Sequence, residues 1–214
     1  MAGRLAGKIA CVTGIGAGIG QGIALMFARE GATVIGCDIN PERAAATVAQ
    51  AAAEGLTIDS VHPCDLTKAD DVRRYIEHAA KEEGRIDILV NAAAIAPHMN
   101  SVAQMDYERE WVPTMVGEVD IVFLACKAAW PHLLASGAAS IINFASVNAF
   151  RGSINFGMAA HCAGVSSPWN CNIDIGAASM QACTSASVGL TNSPTVLMNA
   201  GICSTKGAAC CGLR

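Results

Sequence analysis

Up to residue 146 the apolar residues fall into short runs, separated by stretches in which they recur every three or four positions. KIACVTG, ATVIGCD, TIDSVHP and RIDILVNAAA are short and rich in β-branched residues, with Gly, Pro, Asn or Asp at or near their ends, as strands are. Between them, residues 18 to 30, 41 to 54 and 68 to 83 carry the helical period. Strand and helix in alternation predict βαβ units around a parallel sheet. The punctuation agrees. Gly31 and Gly55 stand where helices would end, Asn40 can cap a helix with Pro41 at its first position, and Thr67 with Asp70 reads as a capping pair. Further on, Tyr107 to Ser136 reads as one long or broken helix, and SIINFAS (140 to 146) as a fifth strand, apolar enough to be buried on both faces.

The pattern changes after Gly164. Residues 165 to 214 hold three charged residues, Asp174, Lys206 and Arg214, against 29 in the first 164, and five of the ten cysteines. Residues 175 to 205 carry no charge, yet 12 of those 31 are Ser, Thr, Asn or Gln, which argues against a membrane span. CNIDI and TVLM are the strand candidates in this region. The expected organisation is one domain, with residues 1 to 164 as its regularly patterned part and 165 to 214 as an atypical C-terminal segment. A shifted reading frame or a sequence error would leave the same abrupt break, and intact mass together with the coding DNA tests for either.

Composition narrows the partners. In 214 residues, 52% are hydrophobic and 15% charged, which suits a single domain with a full core. The formal net charge is −4, and the Lys and Arg residues form no run that would favour nucleic acid or an anionic membrane surface. A small-molecule partner is the expectation. The N-terminus passes into an apolar strand within eight residues, without the longer apolar stretch and cleavage site of a secretory signal, so a cytoplasmic location is expected. The ten cysteines include no CxxC pair, and several sit inside apolar runs, so buried free thiols are expected rather than disulfides or a metal site.

TGIGAGIG, residues 13 to 20, follows the first strand and opens the first helix. That context matters more than the glycines alone. Gly14 permits a tight turn, Gly18 lets backbone amides and the start of the helix, with Ile19, approach a pyrophosphate, and Gly20 allows close packing of helix on strand. Asp38 ends the second strand, where a carboxylate can accept hydrogen bonds from both hydroxyls of an adenosine ribose and repel a 2′-phosphate. With neutral Ala17 in the loop and no basic residue directly after Asp38, NAD is favoured over NADP.

TGxxxGxG from Thr13 to Gly20, the CDLT stretch, the VNAAA stretch and the serine of INFAS together resemble the short-chain dehydrogenase/reductase family, over residues 5 to about 164. The resemblance implies an α/β fold, a doubly wound parallel sheet of the Rossmann type. It also implies a nicotinamide cofactor at the carboxyl ends of the strands, and homo-oligomers, dimers or tetramers, built on the long central helices. In addition it assigns roles: Asp65 and Leu66 would contact the adenine, Asn91 and Ala92 would flank the cofactor, and Ser146 would hold the oxygen of an alcohol or ketone substrate. The implied reaction is hydride transfer between NAD(H) and a secondary alcohol or ketone.

The chain departs from the family at the catalytic pair. The family's tyrosine position holds His161 and its lysine position Val165, and Glu118 stands where the family usually has an asparagine. A phenol must have its pKa lowered from about 10 to exchange protons near neutral pH, a task for a neighbouring ammonium, whereas imidazole starts near 6.5. His161 could therefore take the proton unaided. The competing expectation is a nucleotide-binding protein that has lost catalysis. CSTKG, ending at Lys206 and Gly207, faintly echoes an active-site segment, but Ile202 stands where its tyrosine would be.

Overall fold

The computed structural model describes residues 3–95, 103–144 and 173–176. The apolar runs form β1 (Ile9–Thr13), β2 (Thr33–Cys37), β3 (Ile58–Val61), β4 (Ile88–Asn91) and β5 (Ala138–Asn143). The periodic stretches form α1 (Gly18–Arg29), α2 (Pro41–Ala53) and α3 (Ala69–Ala80). Tyr107 to Ser136 is helical throughout but not uniform. Two π-helical turns, Tyr107–Trp111 and Val116–Asp120, alternate with α4 (Val112–Met115) and α5 (Ile121–Ser136), and the run ends at Gly137 with φ of 69°.

The strand order is β3-β2-β1-β4-β5-β6. The first five strands are parallel; β6 (Ile173–Gly176) pairs with β5 antiparallel, with Ile141 opposite Ile173. β6 overlaps the expected CNIDI stretch from Ile173 and ends one residue beyond it at Gly176, while TVLM lies outside the described residues. The chain winds outward from β1 in one direction and from β4 in the other, so a crevice opens between these strands at their carboxyl ends.

Successive residues of a buried strand face opposite sides, and each side of this sheet has its own cover. Ile9 and Cys11 of β1 pack with Tyr75 and Ile76 of α3 and Leu133 of α5. Ala10 and Val12 pack with Leu25 of α1 and Ala44 of α2. This two-sided burial explains why the strands are nearly all apolar rather than alternating. Cys11, Cys37 and Cys64 are buried and Cys126 is half-buried, all as thiols; burial pushes the Cys11 thiol up to about 12. Among the described residues no helix is long and apolar enough to cross a membrane, and no group of His, Cys, Asp or Glu is placed to hold a metal ion.

One expected cap is corrected. Asn40 does cap α2, its side chain accepting the N–H of Arg43 at 2.8 Å, but Thr67 does not cap α3. The N-cap position of α3 is Lys68, and the Thr67 hydroxyl instead donates to Asp65 Oδ1 at 2.7 Å. Asp65 competes for Thr67 because a carboxylate two residues away closes a tight local turn.

Candidate nucleotide site

The site begins where β1 ends. Thr13 Oγ1 accepts the N–H groups of Ala92 and Ala93, each at 3.0 Å, and so joins the end of β1 to the loop after β4. Gly14 N and Ile15 N donate to the carbonyl of Cys37 at 2.8 and 3.2 Å, which fixes the glycine turn against the end of β2. Gly14 has φ of +72°, and a Cβ there would lie 2.8 Å from the Ala93 Cα. A Cβ on Gly20 would collide with the Gly14 carbonyl oxygen. Gly18 is different: its φ is +59°, yet nothing lies within 4 Å of where its Cβ would be. Two of these glycines answer packing, and the third faces open space.

α1 starts without a side-chain cap, because Ala17 at the N-cap has no polar group, and its first turn holds no acidic residue. The first N–H groups of a helix have no intrahelical partner, and with the helix dipole they form a place for an anion.

Asp38 leaves β2 and turns back toward this loop. Its Oδ2 accepts Gly16 N and its Oδ1 accepts Asn40 N, both at 2.8 Å. A carboxylate oxygen has more than one lone-pair site, so both oxygens keep capacity for a hydroxyl donor. Across the cleft, Asp65 accepts from the Thr67 hydroxyl and backbone N–H and lies 3.3 Å from Lys68 Nζ; these partners, Thr67 first, hold its carboxyl below the usual range.

The cleft has a volume of about 350 Å³, and Gly14, Asp38, Asp65, Leu66 and Ala92 all line it. Gly18, Ile19 and Gly20 are not among the lining residues; they open α1, and Ile19 is 61% exposed. Asn91 is buried under the cleft instead of lining it, and its amide donates to Asn143 Oδ1 at 2.8 Å and to Cys126 Sγ at 3.5 Å. Its side chain ties β4 to β5 and α5. Glu118, at the family's asparagine position, is half-buried, and burial pushes its carboxyl up. Ser146, His161 and Val165 lie outside the described residues.

Gly16, Ile39, Arg43 and Cys64 also line the cleft and were not singled out from the sequence. Gly16 has a geometric requirement, since a Cβ there would lie 2.8 Å from both Asp38 Oδ2 and the Arg43 Cβ. For Arg43 the available signal is the Asn40 cap, which fixes the start of α2 and places Arg43 in its first turn, beside the end of β2.

The parallel order, the switch between β1 and β4, and the glycine turn feeding α1 define a dinucleotide-binding fold of the Rossmann type. The chain belongs to the short chain dehydrogenase family, whose model matches residues 8–164. It is 36% identical over 143 residues to D-threitol dehydrogenase of Mycolicibacterium smegmatis, covering 67% of this chain and 54% of that protein. It is also 36% identical over 151 residues to 2-dehydro-3-deoxy-D-gluconate 5-dehydrogenase of Escherichia coli, covering 70% and 58%. Carveol dehydrogenase from Mycobacterium avium, solved in complex with NAD, superposes with a TM-score of 0.69 at 25% identity, over 76% of this chain and 62% of that one. The chain thus spans somewhat more than half the length of these curated relatives.

Proposed function

We propose that this chain is an oxidoreductase that transfers a hydride between NAD(H) and a secondary alcohol or ketone. The observation that carries the nucleotide part is the position of Asp38, held by two backbone amides at the rim of the cleft that also holds the glycine turn. A carboxylate fixed there suits a ribose with two free hydroxyls. The named dehydrogenases among its relatives, and the NAD complex of a structural neighbour, support the same reading.

In this reading the uncapped start of α1, from Gly18 through Ile19 to Gly20, takes the pyrophosphate charge. Asp38 accepts the ribose hydroxyls, Asp65 and Leu66 border the adenine, and Ala92 borders the cofactor beyond β4. Asn91 acts from below by holding β4 in place. The bound dinucleotide supplies the hydride chemistry. Ser146 holds the substrate oxygen and His161 exchanges its proton, so the acid/base step titrates with an imidazole instead of a phenol. Residues 1 to 164 form the dinucleotide-binding part and 165 to 214 complete the same domain. The reading extends to a cytoplasmic homo-oligomer assembled on the long helices, where Tyr107 and Phe123 stay exposed; light scattering reports its size.

A second reading, a nucleotide-binding protein without catalysis, is favoured by His161 and Val165 at the family's tyrosine and lysine positions. One experiment separates the two. NADH is titrated into the full chain by fluorescence, then its oxidation is followed over a panel of ketones. Binding with saturable oxidation supports the enzyme. Binding without turnover supports the second reading, and failure to bind NADH removes both. In the enzyme, His161→Gln should lower turnover by about 100-fold or more and remove a pH–rate transition in the imidazole range; unchanged turnover takes His161 out of the mechanism.

A further inference from the structure

The buried face of α2 consists of Ala44, Thr47 and Ala51, and the polar residue among them is 0% exposed. A threonine inside a helix commonly turns its hydroxyl back to the carbonyl four residues earlier, and the Arg43 carbonyl does lie 3.3 Å from Thr47 Oγ1. A shorter contact leaves the helix altogether. Thr47 Oγ1 donates to the Ile15 carbonyl at 2.8 Å and accepts Gln21 Nε2, from near the start of α1, at 3.0 Å. A hydroxyl has one proton; Gln21 occupies a lone pair, and the proton serves the shorter contact, to Ile15.

The Ile15 carbonyl and the Gly16 N–H belong to one peptide group, which is trans, so the two point in opposite directions. Thr47 grips one side of this group, while Asp38 Oδ2 accepts the Gly16 N–H at 2.8 Å on the other. The atoms before it are fixed as well. Ile15 N donates to the Cys37 carbonyl at 3.2 Å, and the buried Ile15 side chain lies so close over Gly36 that a Cβ there would be 2.4 Å from its Cδ1. After Gly16 the constraints thin out: Ala17 offers no side-chain cap, and Gly18 meets no atom within 4 Å of where its Cβ would be. The Ile15–Gly16 peptide is thus the last doubly held link before the amides that open α1.

From this arrangement we infer that Thr47 is a positioning residue for the cofactor: its buried hydroxyl, oriented by Gln21, locks the Ile15–Gly16 peptide and so aims the amides at the start of α1 toward the pyrophosphate. The inference rests on the nucleotide site proposed above and deepens it. Thr47 is covered by protein and does not line the cleft, so its effect passes through the backbone alone. The end of β2 through Asp38, α2 through Thr47 and α1 through Gln21 together hold a turn whose glycines, left to themselves, allow several conformations.

The test compares Thr47→Val, which keeps the shape and drops the hydroxyl, with Thr47→Ser, which keeps the hydroxyl and drops a buried methyl. NADH affinity of the full chain is read by fluorescence titration, and stability by urea unfolding. Thr47→Val should weaken NADH binding by about fivefold or more, the effect of one buried hydrogen bond. Thr47→Ser should stay within about twofold of the native affinity even though the lost methyl lowers its unfolding midpoint. Affinity then follows the hydroxyl and not the stability, a pattern that a residue merely filling the core would not produce. Gln21→Ala should weaken NADH binding by about two- to threefold, and it decides the matter if Thr47→Val does not fold. Native affinity in Thr47→Val, or in Gln21→Ala where that variant decides, overturns the inference and leaves the nucleotide site standing. So does a Thr47→Ser affinity as low as that of Thr47→Val. Failure of the native protein to bind NADH overturns the nucleotide site and this inference together.

Discussion

The carboxylate of Asp38 accepts the backbone N–H of Gly16 at 2.8 Å, so the end of β2 holds the glycine turn that follows β1. The turn is shaped by its neighbour as well as by its own glycines. Asp38→Ala should remove the ribose acceptor and the anchor at once: NADH affinity should fall about tenfold, and stability by about 1–2 kcal/mol as Gly16 N and Asn40 N lose a charged acceptor. Fluorescence titration and urea unfolding read the two effects separately. Unchanged NADH affinity would remove Asp38 from the site.

Gly18 and Gly20 should separate ligand-facing from packing glycines. Gly20→Ala drives a methyl into the Gly14 carbonyl, so about 2–3 kcal/mol of stability should be lost, and cofactor binding with it. Gly18→Ala meets no atom but keeps a backbone at φ of +59°, a strain of about 1–2 kcal/mol for a residue with a Cβ. Its affinity for NADH should therefore fall by more than its loss of stability would suggest, since the methyl enters the space left for the ligand. If Gly18→Ala binds NADH as the native protein does, the pyrophosphate lies elsewhere.

Asn91 gives the opposite expectation. Its amide is buried and donates to Asn143, its register partner on β5, so Asn91→Ala removes a buried hydrogen bond between two strands. Stability should drop by about 1–3 kcal/mol, while NADH affinity in the folded protein changes less than in Asp38→Ala. Thermal unfolding with and without NADH checks both parts.

These contrasts mark what could be read from the chain. The first five strands and the helices between them follow from local period and punctuation, which is why Pro41, Gly31 and Gly55 stand at the expected boundaries. The glycine turn was legible because its backbone conformations are restrictive, and Asp38 because strand ends have a fixed place relative to that turn. Asn91 was placed at the right point of the fold, but its partner Asn143 could not be read, because that pairing depends on a strand register 52 residues away. The convergence of Gly16 with Asp38 and Arg43 likewise joins two segments, with Gly16 and Asp38 22 residues apart, that no short window contains. The burial of Glu118 was hidden for the same reason. Ile95 packs over the adjacent Gly117, and nothing around residue 118 announces that contact.

Asp87 contributes a pH dependence to the scaffold. It is 4% exposed, directly before β4; its Oδ2 accepts Ile9 N at 2.8 Å and its Oδ1 accepts the Ser136 hydroxyl at 2.6 Å, with Lys8 and Arg85 nearby at 3.7 and 3.4 Å. Burial alone would raise this carboxyl, but the Ser136 and Ile9 hydrogen bonds, with the two cations, outweigh it and hold the group below its ordinary range. A carboxylate lowered in the folded state stabilises the fold at every pH above its unfolded value of about 3.9, and that contribution is lost as pH falls through the folded value. At pH 7, Asp87→Asn should cost about 2–3 kcal/mol, since it unpairs donors that join β1, β4 and the end of α5. Below about pH 4 the gap between native protein and variant should narrow, because the native carboxyl is itself becoming neutral. Urea unfolding of both proteins at pH 7 and pH 3 measures this. A gap that is the same at both values would mean that Asp87 contributes through shape and packing, and that its charge has no part in holding the three elements together.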